Sequence, residues 1–195
     1  MRGYRRINEV PAGGEAPRTF SRLAVFAAVA GMLALVLPAG VARAAGHTDA
    51  LLLSCMDYRL VDDVEKYMSA RSLRDKYDHI ILAGAALGAV TNKYPSWNKT
   101  FWEHLDIAIT LHQIHKVIVM DHRDCGAYKV ILGEDFGKVP IREREIHAQK
   151  LNQLYGLIKR KHPKLEVELL LMGLDGKVEP VARSRRRVAL LPARR

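Results

Sequence analysis

Cysteine is scarce in this sequence: the 195 residues include only Cys55 and Cys125, so the chain has at most one internal disulfide. The sequence also has no internal repeat and no low-complexity tract, and its length fits one domain with a proper hydrophobic core. A basic central region is absent as well. Of the formal net charge of +10, residues 1–44 carry +4 and residues 178–195 carry +5, which leaves about +1 between them. A nucleic-acid-binding face on the folded body is therefore not indicated.

The longest uncharged stretch lies close to the N-terminus. It spans residues 23–42 and is followed by the small-x-small tripeptide Ala42-Arg43-Ala44, which is typical of a signal peptidase site. We interpret residues 1–44 as a bacterial export signal, which predicts a periplasmic or secreted protein. The alternative is an uncleaved membrane anchor, because an apolar stretch of this length just spans a bilayer.

The predicted folded domain comprises residues 45–178, and residues 179–195 are predicted to be a basic, solvated tail. Apolar runs alternate with amphipathic segments along the domain. Strands are predicted at residues 50–54, 78–83, 116–121 and 165–174, and helices at residues 60–73, 99–115 and 141–161, with a short helix from Cys125. Strands that alternate with helices indicate an α/β fold, in which helices flank a mostly parallel sheet of about four to five strands.

Reactive side chains follow two of the predicted strands. The stretch LLLSCMDYRL places Cys55, Asp57 and Arg59 directly after the first strand, while His122 and Cys125 follow the third. Right-handed crossovers commonly place the second strand outside the first, with the third on the other side of the first. We therefore expect these side chains to converge on one crevice at the carboxyl ends of the strands.

Two thiolates and one imidazole can form a three-ligand zinc site. Cys55, His122 and Cys125 would leave the fourth position free, which is characteristic of catalytic zinc. Asp57 lies two residues from the first thiolate, and Arg59 is placed to hold that carboxylate ionised and oriented through a paired hydrogen bond. A disulfide between the two cysteines is the alternative, because exported proteins fold in an oxidising compartment.

These motifs resemble those of the β-class carbonic anhydrases. The resemblance is carried by C-x-D-x-R at Cys55-Met56-Asp57-Tyr58-Arg59 and by H-x-x-C at His122-Arg123-Asp124-Cys125, and it covers roughly residues 51–175. The CMDxRL wording is most similar to the compact subgroup of that class.

The resemblance implies a β-carbonic-anhydrase-like fold and a Zn²⁺ cofactor held by Cys55, His122 and Cys125. It implies reversible hydration of carbon dioxide to bicarbonate by a zinc-bound hydroxide. Asp57 would accept a hydrogen bond from that hydroxide, and Arg59 would keep Asp57 in place. It also implies a homodimer or a higher homo-oligomer.

Two features depart from the family pattern. Ile81-Leu82 stands where the family usually carries Arg-Asn, and Asp121 stands where a glycine usually precedes the metal-binding histidine. We interpret Asp121 either as a hydrogen-bond partner of His122 or as a polar strand end. The apolar pair leaves open carbonyl sulfide or carbon disulfide as the substrate of the same fold and metal. A further alternative is a catalytically inactive binding module in which the two cysteines form a disulfide.

The remaining histidines lack paired ligand spacing and are interpreted as surface or packing residues: His79, His104, His112, His115, His147 and His162. An aromatic cluster is interpreted as the lining of a substrate channel, as a dimer contact or as ordinary core packing. Its members are Tyr94, Trp97, Phe101 and Trp102.

Overall fold

A computed structural model describes residues 46–184, so the predicted export signal and most of the arginine-rich tail lie outside the described residues. The strands are β1 (Ala50–Ser54), β2 (Tyr77–Ile81), β3 (Lys116–His122), β4 (Glu166–Met172) and β5 (Val178–Pro180). The α-helices are α1 (Val61–Ala70), α2 (Ala86–Val90), α3 (Pro95–His112), α4 (Gly126–Leu132) and α5 (Pro140–Lys161). Across these described residues, none of the helices has the length and apolar character needed to cross a bilayer.

The five strands form one sheet in the order β2-β1-β3-β4-β5. The first four strands are parallel to their neighbours, and β5 is antiparallel to β4. The predicted α/β fold with a mostly parallel sheet is thereby confirmed. Because β1 lies between β2 and β3, and Leu53 pairs with Val119, Cys55 emerges beside the end of β3.

Helices cover both faces of the sheet, which explains why β1 is apolar at nearly every position. Leu51 and Leu53 belong to a core that includes Phe101 of α3 and residues of α5. Leu52 points to the opposite face and packs in a second core with Met68 of α1. Both cores hold β1 in place, and therefore also the reactive segment that follows it.

Several helix ends differ from the sequence predictions. Helix α3 begins at Pro95 rather than at residue 99, because proline lacks a backbone N–H and fits the first helical turn. It ends at His112 rather than at residue 115, since Gln113 has a left-handed φ of 54°. Helix α1 similarly ends at Ala70, shortly before Ser72 with its φ of 59°.

Two short elements, α2 and β5, have no counterpart among the predicted elements. Helix α2 has five residues, all buried, and therefore lacks the polar face that an amphipathic pattern would reveal. Strand β5 has only three residues. Strand β5 continues to Pro180, and Val181 is buried. The folded region therefore extends past residue 178, into the residues that were predicted to form the basic tail.

Candidate metal centre

The carboxyl ends of β1 and β3 bring Cys55, His122 and Cys125 together. One ligand atom from each lies within 4.8 Å of the others, and the two Sγ atoms are 3.8 Å apart. His122 and Cys125 are buried, and Cys55 is partly buried. The geometry thus unites the three residues that the sequence analysis proposes as ligands.

The His122 ring is oriented so that one nitrogen is left for a ligand. Nδ1 lies 2.8 Å from the carbonyl oxygen of Arg123, an acceptor, so this nitrogen carries the proton and donates. Nε2 is therefore the basic nitrogen, and it is buried without a hydrogen-bond partner. A buried, unpartnered imidazole nitrogen beside two thiols is what a zinc site with one nitrogen and two sulfur ligands requires. The residues present therefore fit the metal.

The two thiols are in different electrostatic environments. The contact with Cys125 lowers the pKa of the Cys55 thiol, as do His122 and the Gly84 backbone N–H, which donates to Cys55 Sγ over 3.2 Å. The same contact, together with burial, raises the pKa of the Cys125 thiol. In the metal-free protein Cys55 therefore ionises first.

This asymmetry predicts selective alkylation of the zinc-free, reduced protein. At pH 6 we expect iodoacetamide to modify Cys55 at least about tenfold faster than Cys125, because only the thiolate reacts. A thiol with a lowered pKa stays ionised at acidic pH, whereas the raised pKa of Cys125 keeps it protonated. Peptide mass spectrometry measures both rates, and the chain unfolded in guanidinium is the control in which the two rates should converge. Equal rates in the folded protein would contradict the assignment.

Asp57 and Arg59 form a paired contact beside the three ligands. Arg59 donates from Nε to Asp57 Oδ1 over 2.9 Å and from Nη2 to Oδ2 over 2.8 Å. The backbone N–H of Arg59 also donates to Oδ1. Asp57 therefore caps the short 3-10 helix Tyr58–Leu60 that precedes α1. Hydrogen bonds from Arg59 lower the pKa of Asp57 to about 2. The carboxylate is thus ionised, and its Oδ2 lies 3.8 Å from His122 Nε2.

Arg59 also binds the loop after β3. Its Nη1 donates to Asp124 Oδ2 over 2.9 Å, and its Nη2 donates to the Asp124 carbonyl oxygen over 3.1 Å. The sequence analysis assigned Arg59 to Asp57 alone. In the structure, one guanidinium connects the segment of the first cysteine to the loop of the second.

A mostly apolar cavity of about 270 Å³ opens beside Cys55, Asp57 and Cys125. It is also lined by Met56, Ala83, Tyr94, Trp97, Gly126, Ala127, Val130 and Ile131. The rings of Tyr94 and Trp97 stack with centroids 4.3 Å apart. The predicted aromatic cluster is thus divided, because Phe101 is buried in the core and Trp102 packs against it. A small apolar molecule fits this cavity better than a charged one does.

Asp121 is neither of the two things expected from the sequence. Its carboxylate is buried and faces Ala86, Tyr128 and His147, so it is not a free polar strand end, and these contacts do not include His122. His147 is correspondingly buried in the core, while His104 remains exposed. Sequence reasoning gave no functional part to His147 or to the buried Glu143. The available signal was their spacing of four residues on the inward face of α5.

A family model described as "Putative carbonic anhydrase" matches residues 45–182. An uncharacterized protein of Rickettsia conorii is 41% identical over 131 residues, which is 67% of this chain and 70% of that protein. An uncharacterized protein of Rickettsia bellii is 42% identical over 131 residues, which is 67% of this chain and 80% of that protein.

The solved structures that resemble this chain have low sequence identity to it. The carbonic anhydrase of Streptococcus mutans is 19% identical with a TM-score of 0.46, over 71% of this chain and 84% of that one. A β-carbonic anhydrase of Trichomonas vaginalis is 17% identical with a TM-score of 0.48, over 71% and 85% of the two chains.

Proposed function

The chain belongs to the carbonic anhydrase family whose model matches residues 45–182, and on that premise we propose that it is a zinc enzyme that hydrates carbon dioxide reversibly to bicarbonate. The observation that carries the proposal is the unpartnered His122 Nε2 beside the sulfur atoms of Cys55 and Cys125. These three residues would hold the metal. Zinc in such a site supplies a nucleophile near neutral pH, because it lowers the pKa of a bound water to about 7.

Asp57 and Arg59 are placed to orient the attacking water. Asp57 is ionised, and its Oδ2 can accept a hydrogen bond from the water that attacks carbon dioxide. Arg59 holds both carboxylate oxygens, so the accepting oxygen keeps one orientation. The hydration of carbon dioxide by water releases one proton with the bicarbonate, and the ionised Asp57 lines the cavity in which that proton is released.

The cavity supports a small, uncharged substrate. Its lining combines Val130, Ile131 and the stacked rings of Tyr94 and Trp97. Ile81 is exposed, and Leu82 packs against the core; the lining contains neither. The departure at Ile81-Leu82 therefore gives the cavity no preference for carbonyl sulfide or carbon disulfide, and we keep these as outcomes of the test.

We also propose export and self-association. The proposal of export to a periplasmic or secreted location, with removal of residues 1–44, rests on the uncharged stretch at residues 23–42 and on the Ala42-Arg43-Ala44 tripeptide that follows it. Met56 and Val130 line the cavity, yet their side chains are 65% and 62% exposed. Apolar side chains around the mouth are suited to burial against a second copy of the chain. Intact mass and sedimentation velocity of the purified protein test the two proposals.

The decisive test is made on tag-free protein purified without added reductant, so that a disulfide between the two cysteines would survive purification. We expect about one zinc per chain and stopped-flow hydration of carbon dioxide that is lost on chelation and restored by zinc. Zinc far below one per chain, with no titrating thiol, would support the inactive disulfide module instead. A full zinc load without carbon dioxide hydration, together with hydrolysis of carbonyl sulfide or carbon disulfide, would support the alternative substrates.

A further inference from the structure

We propose that Glu143 and His147 of α5 are positioning residues that hold the β3–α4 loop in its metal-binding conformation, where the loop is taken as residues 122–126 and includes the last residue of β3 and the first of α4. This inference rests on the proposed metal site. Glu143 and His147 are 4% and 1% exposed, they lie one helical turn apart, and both face the loop. Neither belongs to the group of candidate metal ligands, so each acts through other residues.

Glu143 holds the middle of the loop. Its Oε1 accepts a hydrogen bond from the backbone N–H of Asp124 over 2.5 Å, and Arg123 Nη1 donates to its Oε2 over 3.4 Å. Asp124 has a left-handed φ of 54°, a conformation that is unfavourable for residues other than glycine, although aspartate tolerates it better than most. Asp124 also directly precedes Cys125. The Glu143 carboxylate therefore stabilises the backbone turn that separates His122 from Cys125.

His147 holds both ends of the loop through Asp121. His147 Nδ1 lies 2.9 Å from Asp121 Oδ2, and the same oxygen accepts a hydrogen bond from the Tyr128 hydroxyl over 2.5 Å. The rings of His147 and Tyr128 are in contact, with centroids 3.9 Å apart. Asp121 directly precedes His122, and Tyr128 is in the first turn of α4, three residues after Cys125. One buried network thus connects α5 to the chain on both sides of the loop.

The same network also reaches the turn between β2 and α2, which lies next to Cys55. Asp121 Oδ1 accepts a hydrogen bond from the backbone N–H of Ala86 over 2.9 Å, at the start of α2. Gly84, two residues earlier, donates its N–H to Cys55 Sγ. Asp121 therefore connects the turn that contacts Cys55 with the strand that carries His122.

Simple packing does not explain these side chains. Burying a carboxylate and an imidazole carries a desolvation penalty that apolar residues of similar volume avoid. Here both carboxylate oxygens of Glu143 and Nδ1 of His147 are directed at specific partners in the loop or in the strand before it. Mutation of residues that support the metal ligands through hydrogen bonds typically weakens metal binding by about 10- to 100-fold.

The test compares zinc affinities, measured by chelator competition. Glu143→Ala and His147→Ala should each weaken zinc binding by about 10- to 100-fold. Glu143→Gln, which keeps an acceptor oxygen for the Asp124 N–H, should recover most of the affinity. Glu145→Ala, an exposed position on the same helix, should have no effect. Leu154→Ala removes a fully buried apolar side chain from α5 and should lower the melting temperature while zinc affinity stays unchanged.

Hydrogen exchange of the zinc-free protein provides a readout that does not depend on metal. In Glu143→Ala, amides of residues 122–126 should exchange at least about tenfold faster than in the wild type, with little change in β4. Unchanged exchange, or wild-type zinc affinity in both alanine variants, would overturn the proposal. So would an equal loss of affinity in Leu154→Ala. If the wild type binds no zinc, the proposed function fails, and exchange still decides whether Glu143 orders the loop.

Discussion

Cys55→Ser is expected to abolish zinc binding and, with it, carbon dioxide hydration. The substitution changes one atom, Sγ to Oγ, and leaves the apolar strand β1 intact. A serine hydroxyl is protonated at neutral pH and is a poor zinc ligand, whereas a thiolate is one of the preferred ligands. We expect the zinc content to fall from about one per chain to close to none, and hydration to fall to the rate without enzyme.

The surroundings of Cys55 make the loss specific. In the wild type, contacts with Cys125, His122 and the Gly84 N–H lower the pKa of its thiol, so the ligand is ionised before the metal arrives. A serine has no comparable charge to offer at that position. His122 and Cys125 alone would leave two positions of a tetrahedral site without protein ligands.

The control for this experiment is His104→Gln. His104 is exposed on α3, and its replacement measures how much zinc surface histidines retain under the same conditions. Both variants should show the circular dichroism spectrum of the wild type, and Cys55→Ser should have one titrating thiol fewer. Zinc bound to Cys55→Ser at one per chain with wild-type affinity would show that the metal is held elsewhere.

The sequence was sufficient to predict the four parallel strands of the sheet and the convergence of the ligands. Apolar runs that end in Cys55 and in His122 identify buried strands with reactive tips, and chain order with right-handed crossovers places those strands side by side. The observed order of β2, β1 and β3 follows that rule. The roles assigned to Asp57 and Arg59 stay predictions, although the paired contact between them is present in the structure.

The hydrogen bonds from α5 that hold the loop of the ligands could not be predicted in the same way. Helix α5 has an amphipathic pattern, and within that pattern Glu143 and His147 count as ordinary polar residues. Their burial depends on partners that are distant in sequence, the backbone N–H of Asp124 and the carboxylate of Asp121. Hydrogen bonds to a loop backbone leave no periodic signal in a sequence, so only the folded chain shows them.

Asp57→Asn is expected to separate catalysis from metal binding. The amide has nearly the shape of the carboxylate but no charge, and one of its two acceptor atoms becomes a donor. Zinc content should remain at about one per chain, because Cys55, His122 and Cys125 are untouched. Turnover should fall by about 100-fold or more, the range in which a positioned acid or base contributes to catalysis.

The loss should be found in kcat rather than in KM, because the apolar residues that form most of the cavity lining are unchanged. Asp62→Asn is the matched control, since Asp62 is an exposed acid in the first turn of α1 and its loss should leave turnover unchanged. Asp124→Asn probes the second anchor of Arg59 and should have a smaller effect than Asp57→Asn, because Arg59 keeps both bonds to Asp57. Loss of zinc in Asp57→Asn would instead identify the carboxylate as a metal ligand. Undiminished turnover would show that the attacking water does not depend on Asp57.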